Sequence, residues 1–518
     1  MRFPHAIAIG LVAVFSPLGS AGAAAASQEH VLVELKPAAA CTSAAALADA
    51  GASLVVPELH LYRLGASAAA RILPELRRSG AVRLTQVDRP VRTFARLDFL
   101  DPLVASEWWR PAIRVDGLTP PPVGRPVTII DSGLDVTHPE FVGRANTLAV
   151  NAQEPEGIGG EHGTAVASVV GAPENGLGIV GVYPEALIRS WDAAKGAGTR
   201  LETSEVAQGI VDAANNGPGV INLSLGSGQR ELVIEQAVYL AVRKGSLVVA
   251  ASGNDGEDGN LLGYPAGIPH VLTVGATDPE DRVATFSSRS RFVDMAAPGQ
   301  DIQVATALGK GFRSSSGTSF AAPLVSGAAA WVWTARPELD NTQLFEVMRR
   351  SARDVDAPGR DDATGFGVMD VANALVYAPP VADPFEPNDD LDFAEPTGVY
   401  YTGVPPLTTK QRPSTRLIAR LDAAEDPRDV YRVWVPAGKS LRAVSSADTD
   451  VDLALWRQGA VSVKQRLIGT DRLARAATRA PAESLVFRNQ GPGRLAYVAV
   501  TLPRGVREAV YSLRVTAA

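Results

Sequence analysis

Ser316-Gly317-Thr318-Ser319-Phe320-Ala321-Ala322-Pro323-Leu324-Val325-Ser326-Gly327-Ala328-Ala329-Ala330 is the stretch that decides the fold. Small residues lead into one serine, and an apolar run follows. From Phe320 to Thr334 there is no charge, so as a helix this run must be buried all round. Proline is tolerated in the first turn, where no amide donor is needed. On that reading Ser319 sits at the mouth of a buried helix, with its N–H near the positive end of the dipole. A nucleophile whose attack creates an oxyanion suits that position. The plain structural alternative is a serine N-cap on a core helix.

Working outward, 518 residues are enough for two or three domains. A hydrophobic fraction of 46% and a charged fraction of 20% describe an ordinary globular protein. The net charge of -7 gives no reason to expect nucleic acid as a partner. Arg2 and His5, an apolar run from Ala6 to Leu18 and the small residues Ala21 to Ala26 read as a signal peptide over 1–26. The short run and its alanine-rich end disfavour a membrane anchor. No other stretch has 18 uninterrupted apolar residues, so no membrane span is expected in the mature chain. The expected location is extracellular or periplasmic. Cys41 is the single cysteine, so no intramolecular disulfide is available.

Residues 27–100 read as a small α+β domain. His30 to Leu35 alternates like a strand, Cys41 to Ala50 is helical, and Glu58 to Leu64 is a second strand with Leu59 and Leu61 on one face. Ser67 to Arg78 is a second helix with Ser67 as N-cap, and Val82 to Val87 is a third strand.

In residues 101–378, Pro126-Val127-Thr128-Ile129-Ile130-Asp131 is a β-branched run ending in an acid, as a central parallel strand buried on both faces would be. Its carboxyl end is where an open α/β sheet places functional groups. Gly160-Glu161-His162-Gly163-Thr164 opens a small-residue helix. One acid, one histidine and one serine thus stand at element ends. That trio suits a serine that attacks, a histidine that moves the proton and an acid that fixes the imidazole tautomer. Val220 to Leu223 and Ser246 to Ala251 are further strands, Thr342 to Arg353 is an amphipathic helix, and a last short helix ends near Tyr377.

Asp131-Ser132-Gly133, His162-Gly163-Thr164 and Gly317-Thr318-Ser319-Phe320-Ala321-Ala322-Pro323 resemble the three signatures of the subtilases, the subtilisin-like serine proteases, in the subtilisin order Asp, His, Ser. The resemblance implies a three-layer α/β fold with a mostly parallel central sheet, and Asp131, His162 and Ser319 as a catalytic triad that uses no cofactor. It implies that Asn254 donates to the oxyanion, that Ser224-Leu225-Gly226 is a substrate-pairing wall, and that Gly263 forms the floor of a deep apolar specificity pocket. Large apolar residues are then expected before the scissile bond, with Asp255 at the rim admitting Lys or Arg second. A facing substrate strand is expected within Gly196 to Leu201. Ala165 and Ser168 depart from the family, where a second histidine and a glycine are common.

Residues 27–100 resemble, in element order, the propeptide of these enzymes, an intramolecular chaperone and inhibitor. Self-cleavage is then expected within Arg92 to Leu100, after Phe94 or Phe99. Glu140 and the loop Asn175-Gly176-Leu177-Gly178-Ile179 resemble the subtilisin calcium site, which implies a structural calcium held by Glu140 and Asn175. The alternative is an Asn-Gly turn beside a surface glutamate.

Residues 379–397 read as an acidic, proline-containing linker, and 398–518 as a β-sandwich with faces marked by Tyr431, Val433 and Val435, by Leu453 and Leu455, by Ala496, Val498 and Val500, and by Tyr511, Leu513 and Val515. Glu386-Pro387-Asn388-Asp389, Asp429-Val430-Tyr431 and Asp450-Val451-Asp452-Leu453 resemble the bacterial pre-peptidase C-terminal domain. Its acids bind calcium or cap turns, and the turn reading is favoured. The expectation is a secreted, monomeric serine endopeptidase acting on proteins or peptides, with its own propeptide as inhibitor. The rivals are an inactive exported binding protein on the same scaffold, and an esterase.

Overall fold

The uncharged run around Ser319 forms the Thr318–Ala335 helix, and every residue from Phe320 to Trp333 is buried. A computed structural model describes residues 30–88, 101–151, 160–194, 200–307, 311–395, 404–464 and 471–518. The expected signal peptide and the self-cleavage stretch lie outside the described residues. Two compact units are formed, Met1–Asp98 and Phe99–Ala518.

The larger unit is built on a seven-stranded sheet. Its spatial order is Val293–Pro298, Val271–Thr277, Leu247–Ala251, Val220–Leu223, Pro126–Asp131, Leu187–Asp192 and Thr147–Ala149. All its pairings are parallel. The central strand shows why its sequence has no polar alternation. Val127 and Ile129 enter the core shared with the Thr318–Ala335 and Gly160–Gly171 helices. Ile130 enters the opposite core, with the Thr203–Asn215 and Leu232–Arg243 helices. Helices on both faces make three layers and leave no wet face.

The two helices of the first core approach closely. A Cβ on Gly327 would lie 2.4 Å from Val182 Cγ1 and 3.0 Å from the Val170 carbonyl. Ser168, one of the two departures from the family pattern, is also accounted for. Its hydroxyl donates to the Ala165 carbonyl at 2.7 Å and accepts the Ala305 N–H at 2.9 Å. It therefore satisfies a buried amide that a glycine could not.

The helix start differs from the sequence reading. Gly317 is the N-cap, Ser319 is the second helical residue, and Pro323 lies inside the helix, beyond the first turn. Pro323 therefore removes an i→i−4 bond that would have ended on the Ser319 carbonyl.

The smaller unit pairs Ser53–Val56, Leu61–Gly65, His30–Leu35 and Val82–Val87 in that order, all antiparallel. The Pro37–Asp49 and Ala66–Arg78 helices cover one face, around Val33, Leu35, Leu47, Tyr62, Leu64 and Leu76. Two expectations fail here. Pro57–Leu59 is a 3-10 turn closed by His60 at φ 47°, so Leu59 is exposed and does not share a strand face with Leu61. Gly65, not Ser67, caps the second helix, which begins at Ala66.

The chain ends in two four-stranded antiparallel sheets. One is Ser414–Asp422, Glu508–Ala517, Ser440–Ala447 and Ala482–Arg488; the other is Arg428–Val435, Arg494–Thr501, Asp452–Arg457 and Arg472–Ala476. Their facing residues, among them Tyr431, Val433, Leu453, Val498, Tyr511 and Leu513, share one core. The segment read as a linker is not a solvated spacer. Phe393 is buried, and its ring meets Tyr239 edge-on with centroids 4.9 Å apart. Asp383, Glu386, Asn388 and Leu391 are buried as well.

The Ser168 bridge carries a stability prediction. Ser168→Ala strands the Ala305 N–H in the core and should cost about 1–3 kcal/mol. Thermal unfolding of the substituted chain, carried in a Ser319→Ala background to suppress self-digestion, measures it; an unchanged midpoint would contradict the role.

Candidate active site

Asp131 closes the central strand and is 1% exposed. Its Oδ1 accepts the Ser132 N–H at 2.7 Å. Both its oxygens face Nδ1 of His162, at 2.8 and 2.9 Å. His162 is in the first turn of the Gly160–Gly171 helix. That helix start comes down onto the strand end only because residue 163 is glycine: a Cβ there would lie 2.0 Å from the Gly133 carbonyl. The Asp131 charge raises the His162 pKa, burial opposes it, and the hydrogen bond adds to the rise. About two fifths of the side chain stays accessible, at 40%, so the far edge of the ring faces the cleft while the near edge is held.

Ser319 enters from the opposite helix. The ring of its neighbour Phe320 lies 6.0 Å from the His162 ring, which brings the two helix starts together. In this structure the Ser319 hydroxyl points to the Ser224 carbonyl at 3.4 Å. The Ser319 carbonyl, which lacks a donor from Pro323, accepts instead from Ser224 Oγ at 2.9 Å. Ser224 Oγ accepts from Asn222 Nδ2 at 3.0 Å, and Asn222 Oδ1 accepts from Ser326 Oγ at 2.9 Å. Asn222 and Ser326 are fully buried. This polar chain repairs the gap left by the proline and ties the helix to the Val220–Leu223 strand. Sequence reasoning missed it, although a proline four residues after the serine was the available signal.

Asn254 is fixed through its oxygen, which accepts from the Thr318 N–H and the Thr318 hydroxyl, each at 2.9 Å. Its Nδ2 stands beside Gly317, 3.4 Å from where a Cβ would be. Ser224, Leu225, Gly226, Asn254, Gly263 and Ser319 line one cavity of about 520 Å³. Its walls are pinned to each other, since Ser227 N donates to the Tyr264 carbonyl at 2.9 Å and Tyr264 N to the Ser227 carbonyl at 2.8 Å. A Cβ on Gly263 would meet only the Ser252 carbonyl, at 3.5 Å, so a longer side chain would grow into this space.

A second cavity of about 530 Å³ shares the Ser224 to Ser227 wall and is lined by His162, Leu201, Val206, Ile234 and Ile268. The sequence reading did not single out Val206 or Ile234, which carry no motif of their own. Of the facing segment expected within Gly196 to Leu201, residues 196–199 lie outside the described residues. Leu201 pairs with Ala194 in an antiparallel bridge.

The expected calcium ligands do meet, but not as ligands. Asn175 Nδ2 donates to Glu140 Oε2 at 3.0 Å, and the Ile179 N–H reaches Glu140 Oε1 at 3.3 Å. Asn175 Oδ1 accepts the Leu177 N–H at 2.8 Å. The loop thus turns N–H donors, not carbonyls, toward the carboxylate, and burial pushes Glu140 up to about 7. This donor set does not fit a hard cation.

The sequence pattern of the Subtilase family matches residues 124–367. Subtilisin BL of Lederbergia lenta is 37% identical over 264 residues, which are 51% of this chain and 94% of that protein. An alkaline protease of Shouchella clausii is 37% identical over 266 residues, 51% of this chain and 67% of its own length. Among solved structures, Sphericase is 31% identical with a TM-score of 0.44, covering 51% of this chain and 97% of its own. The parallel sheet, the helix starts that meet at His162 and Ser319, and the identity with Subtilisin BL and the Shouchella clausii protease agree: the chain belongs to the subtilase family of serine proteases.

Proposed function

We propose that the chain is a secreted subtilisin-like endopeptidase, made as a zymogen, in which Ser319, His162 and Asp131 form the triad. The observation that carries the reading is the Asp131 carboxylate on His162 Nδ1, with Ser319 at the adjoining helix start. In the reaction, Ser319 Oγ turns from the Ser224 carbonyl toward His162 Nε2, gives up its proton there and attacks the scissile carbonyl. His162 then returns the proton to the leaving amine, and water repeats the sequence on the acyl-enzyme. Asp131 keeps the imidazole in the tautomer with its proton on Nδ1 and offsets the charge that forms. The Asn254 Nδ2 and the Ser319 N–H receive the oxyanion. The family's chemistry needs no cofactor.

The 520 Å³ cavity floored by Gly263 suits a large apolar residue before the scissile bond. The substrate backbone lies along Ser224 to Gly226. Residues 1–26 direct export, to the extracellular space or periplasm, and 27–100 serve as chaperone and inhibitor until cleavage. Leu84, 49% exposed, pairs with Glu34 on the face of that small sheet that the helices leave uncovered, in keeping with a docking role for that face. Among the described residues no helix is long and apolar enough to cross a membrane. The mature enzyme acts as a monomer, and residues 398–518 act as a C-terminal module.

Casein hydrolysis by the wild type and its loss in Ser319→Ala test this reading. Hydrolysis that survives the substitution overturns the assignment of Ser319, and a wild type that cleaves nothing favours the inactive scaffold. A cleavage profile dominated by acidic residues or glycine before the scissile bond removes the pocket assignment.

The pH profile is also set. The base must be neutral, and Asp131 favours the protonated form. The acid limb of kcat/KM should therefore have its midpoint above ~6.5, the ordinary imidazole value. Asp131→Asn should move that midpoint down. For folding the sign is opposite: the shift favours the folded state at low pH, and this contribution is lost as pH rises through the His162 pKa. A limb that does not move in Asp131→Asn assigns it to another group.

The polar chain behind Ser319 predicts a rescue. Ser224→Ala leaves the Ser319 carbonyl without its donor and should lower kcat by roughly five- to tenfold, equivalent to about 1–1.4 kcal/mol. Adding Pro323→Ala supplies a helical N–H to the same carbonyl and should recover most of that loss. Steady-state kinetics of the single and double variants decide it; no recovery would mean that Ser224 acts on substrate alone.

A further inference from the structure

In the sandwich, the sheet of Ser414–Asp422, Glu508–Ala517, Ser440–Ala447 and Ala482–Arg488 has an outward face of one sign of charge. Its inward residues belong to the core, where Leu421, Leu513, Leu441 and Leu485 are buried. Side chains alternate along a strand, so the opposite face holds Arg416, Arg514, Arg442 and Arg488, all exposed. The pairing puts them in order. Arg416 lies directly across from Arg514. Arg514 pairs with Val444, two residues from Arg442 on the next strand. Arg442 pairs with Val486, two residues from Arg488 on the last. The four arginines therefore cross all four strands in one oblique line, roughly 20 Å long from strand spacing and rise.

No acid answers them. The acidic residues of these strands are Asp422, Glu483 and Glu508. Asp422 pairs with Arg349 and Glu508 with Arg350, both in the subtilase domain. Glu483 is turned inward, is buried, and accepts the Thr478 N–H and hydroxyl at 2.5 Å. Among the described residues none of the four arginines has a carboxylate partner. Arg416 and Arg514 face each other across a strand pair, and like charges so placed are destabilising. The whole chain has a net charge of -7, so this face is a local reversal of the overall field. Hydroxyls stand between the arginines: Arg416, Arg442, Arg514, Ser440, Ser512 and Thr516 line a recess of about 710 Å³.

A row of exposed guanidinium groups without internal partners is available to anions from outside the chain, and the planar fork of arginine engages oxyanions two bonds at a time. A line of such groups calls for a ligand that repeats its charge along a chain. The rest of the face narrows the choice. Protein partners are gripped around buried Trp or Tyr anchors, and single-stranded nucleic acid on aromatic platforms. The outward positions of these four strands hold no aromatic residue. They hold serines and threonines instead, whose hydroxyls both donate and accept, as sugar hydroxyls require. We propose that this face of the C-terminal module binds an acidic polysaccharide, a hydroxyl-rich chain with regularly spaced carboxylates or sulfates. Arg416, Arg514, Arg442 and Arg488 receive the anionic groups, and the intervening hydroxyls receive the sugars. The module thereby holds the protease on polyanionic material.

The test uses the full chain with Ser319→Ala, which suppresses self-digestion and keeps binding separate from catalysis. Calorimetry at low and high salt measures binding of polygalacturonate, a carboxylate polymer, and of dextran sulfate, a sulfate polymer. Uncharged dextran, poly-L-glutamate and duplex DNA are run beside them. The proposal expects saturable binding of at least one acidic polysaccharide, none of dextran, and an affinity that falls as salt rises, because exposed charges are screened. The polymer bound more tightly distinguishes carboxylate from sulfate. Arg416→Ser, Arg442→Ser and Arg514→Ser should each weaken binding by about two- to fivefold, as loss of an exposed ion pair does, and the triple variant by about tenfold or more. Arg475→Ser, on the other sheet and paired with Asp452, should leave it unchanged. Arg416→Ser relieves like charge opposite Arg514 and should not lower the thermal midpoint, so lost binding there is not lost folding. No binding of either acidic polysaccharide, wild-type affinity in the triple variant, or an equal loss in Arg475→Ser overturns the site. If the triple variant fails to fold, the single variants decide, and wild-type affinity in all three overturns it. Tighter binding of poly-L-glutamate or DNA than of both polysaccharides overturns the polysaccharide assignment in favour of that polymer.

Discussion

A helix that offers no charged face can exist only where other elements surround it, and that constraint organises the larger unit. The Thr318–Ala335 helix has the sheet on one side and the Gly160–Gly171 helix on another. Burial of this kind is favourable through apolar area, but it leaves the backbone no water to turn to. The missing amide of Pro323 is therefore a debt that only the interior can meet. Ser224, Asn222 and Ser326 meet it, and in doing so they fix the Ser319 backbone relative to the strand that leads into the cavity wall of Ser224, Leu225 and Gly226. The same three-residue chain thus serves packing and site geometry together. A buried polar network is worth keeping when every member is satisfied, and each of these three has its partner.

The parallel sheet supplies the rest of the site. Parallel strands all present their carboxyl ends to one edge, and the helices that follow return to that edge with their N-termini exposed. Asp131 is at such a strand end and His162 at such a helix start, while Ser319 begins a helix that follows the antiparallel pair Ile302–Thr306 and Gly311–Ser315. Asn254 follows the Leu247–Ala251 strand on the same edge. Residues 131, 162, 254 and 319 are distant in sequence, yet connectivity alone brings them to one cleft. What the side chains then add is close approach, and here glycine is indispensable: at residue 163 a methyl group would collide with the Gly133 carbonyl.

Much of this was legible in the sequence because it is local. The β-branched run of Val127 to Ile130, the uncharged run after Ser319 and the alternation of Tyr431, Val433 and Val435 each name their own environment. Pairing Asp131 with His162 required the trio to be considered together, and the distances show only what the motifs implied. The errors arose where two local rules competed. Pro323 was taken to mark a first turn, because its missing donor is free there, whereas tertiary hydrogen bonds made it tolerable deeper in the helix. Pro57 similarly began a turn where alternation suggested a strand. The Glu140 loop has the length of a calcium loop, but only the orientation of its amides reveals that it bonds to the carboxylate directly. The acids after residue 380 looked like solvent-loving linker chemistry, and no periodicity announces that a sheet-bearing module will cover them.

That last case exposes how the module is attached. Arg349 is fully buried and bonds to Asp294 beneath it, Glu346 on its own helix and Asp422 from the sandwich. A buried ion pair contributes little net stability, because desolvation offsets attraction, but losing one partner is costly. Its effect is therefore on specificity of docking. In the structure the sandwich sits where Asp422 meets Arg349 and where Phe393, from the segment before it, packs against Tyr239. The carboxylates that cluster next to this junction have no such arginine. The seam therefore holds two unlike electrostatic solutions side by side. One part is neutralised from within the chain by guanidinium groups, while the other encloses carboxyls whose nearest basic group is His270, 3.4 Å from Glu386, and burial pushes them well above the usual carboxylate range.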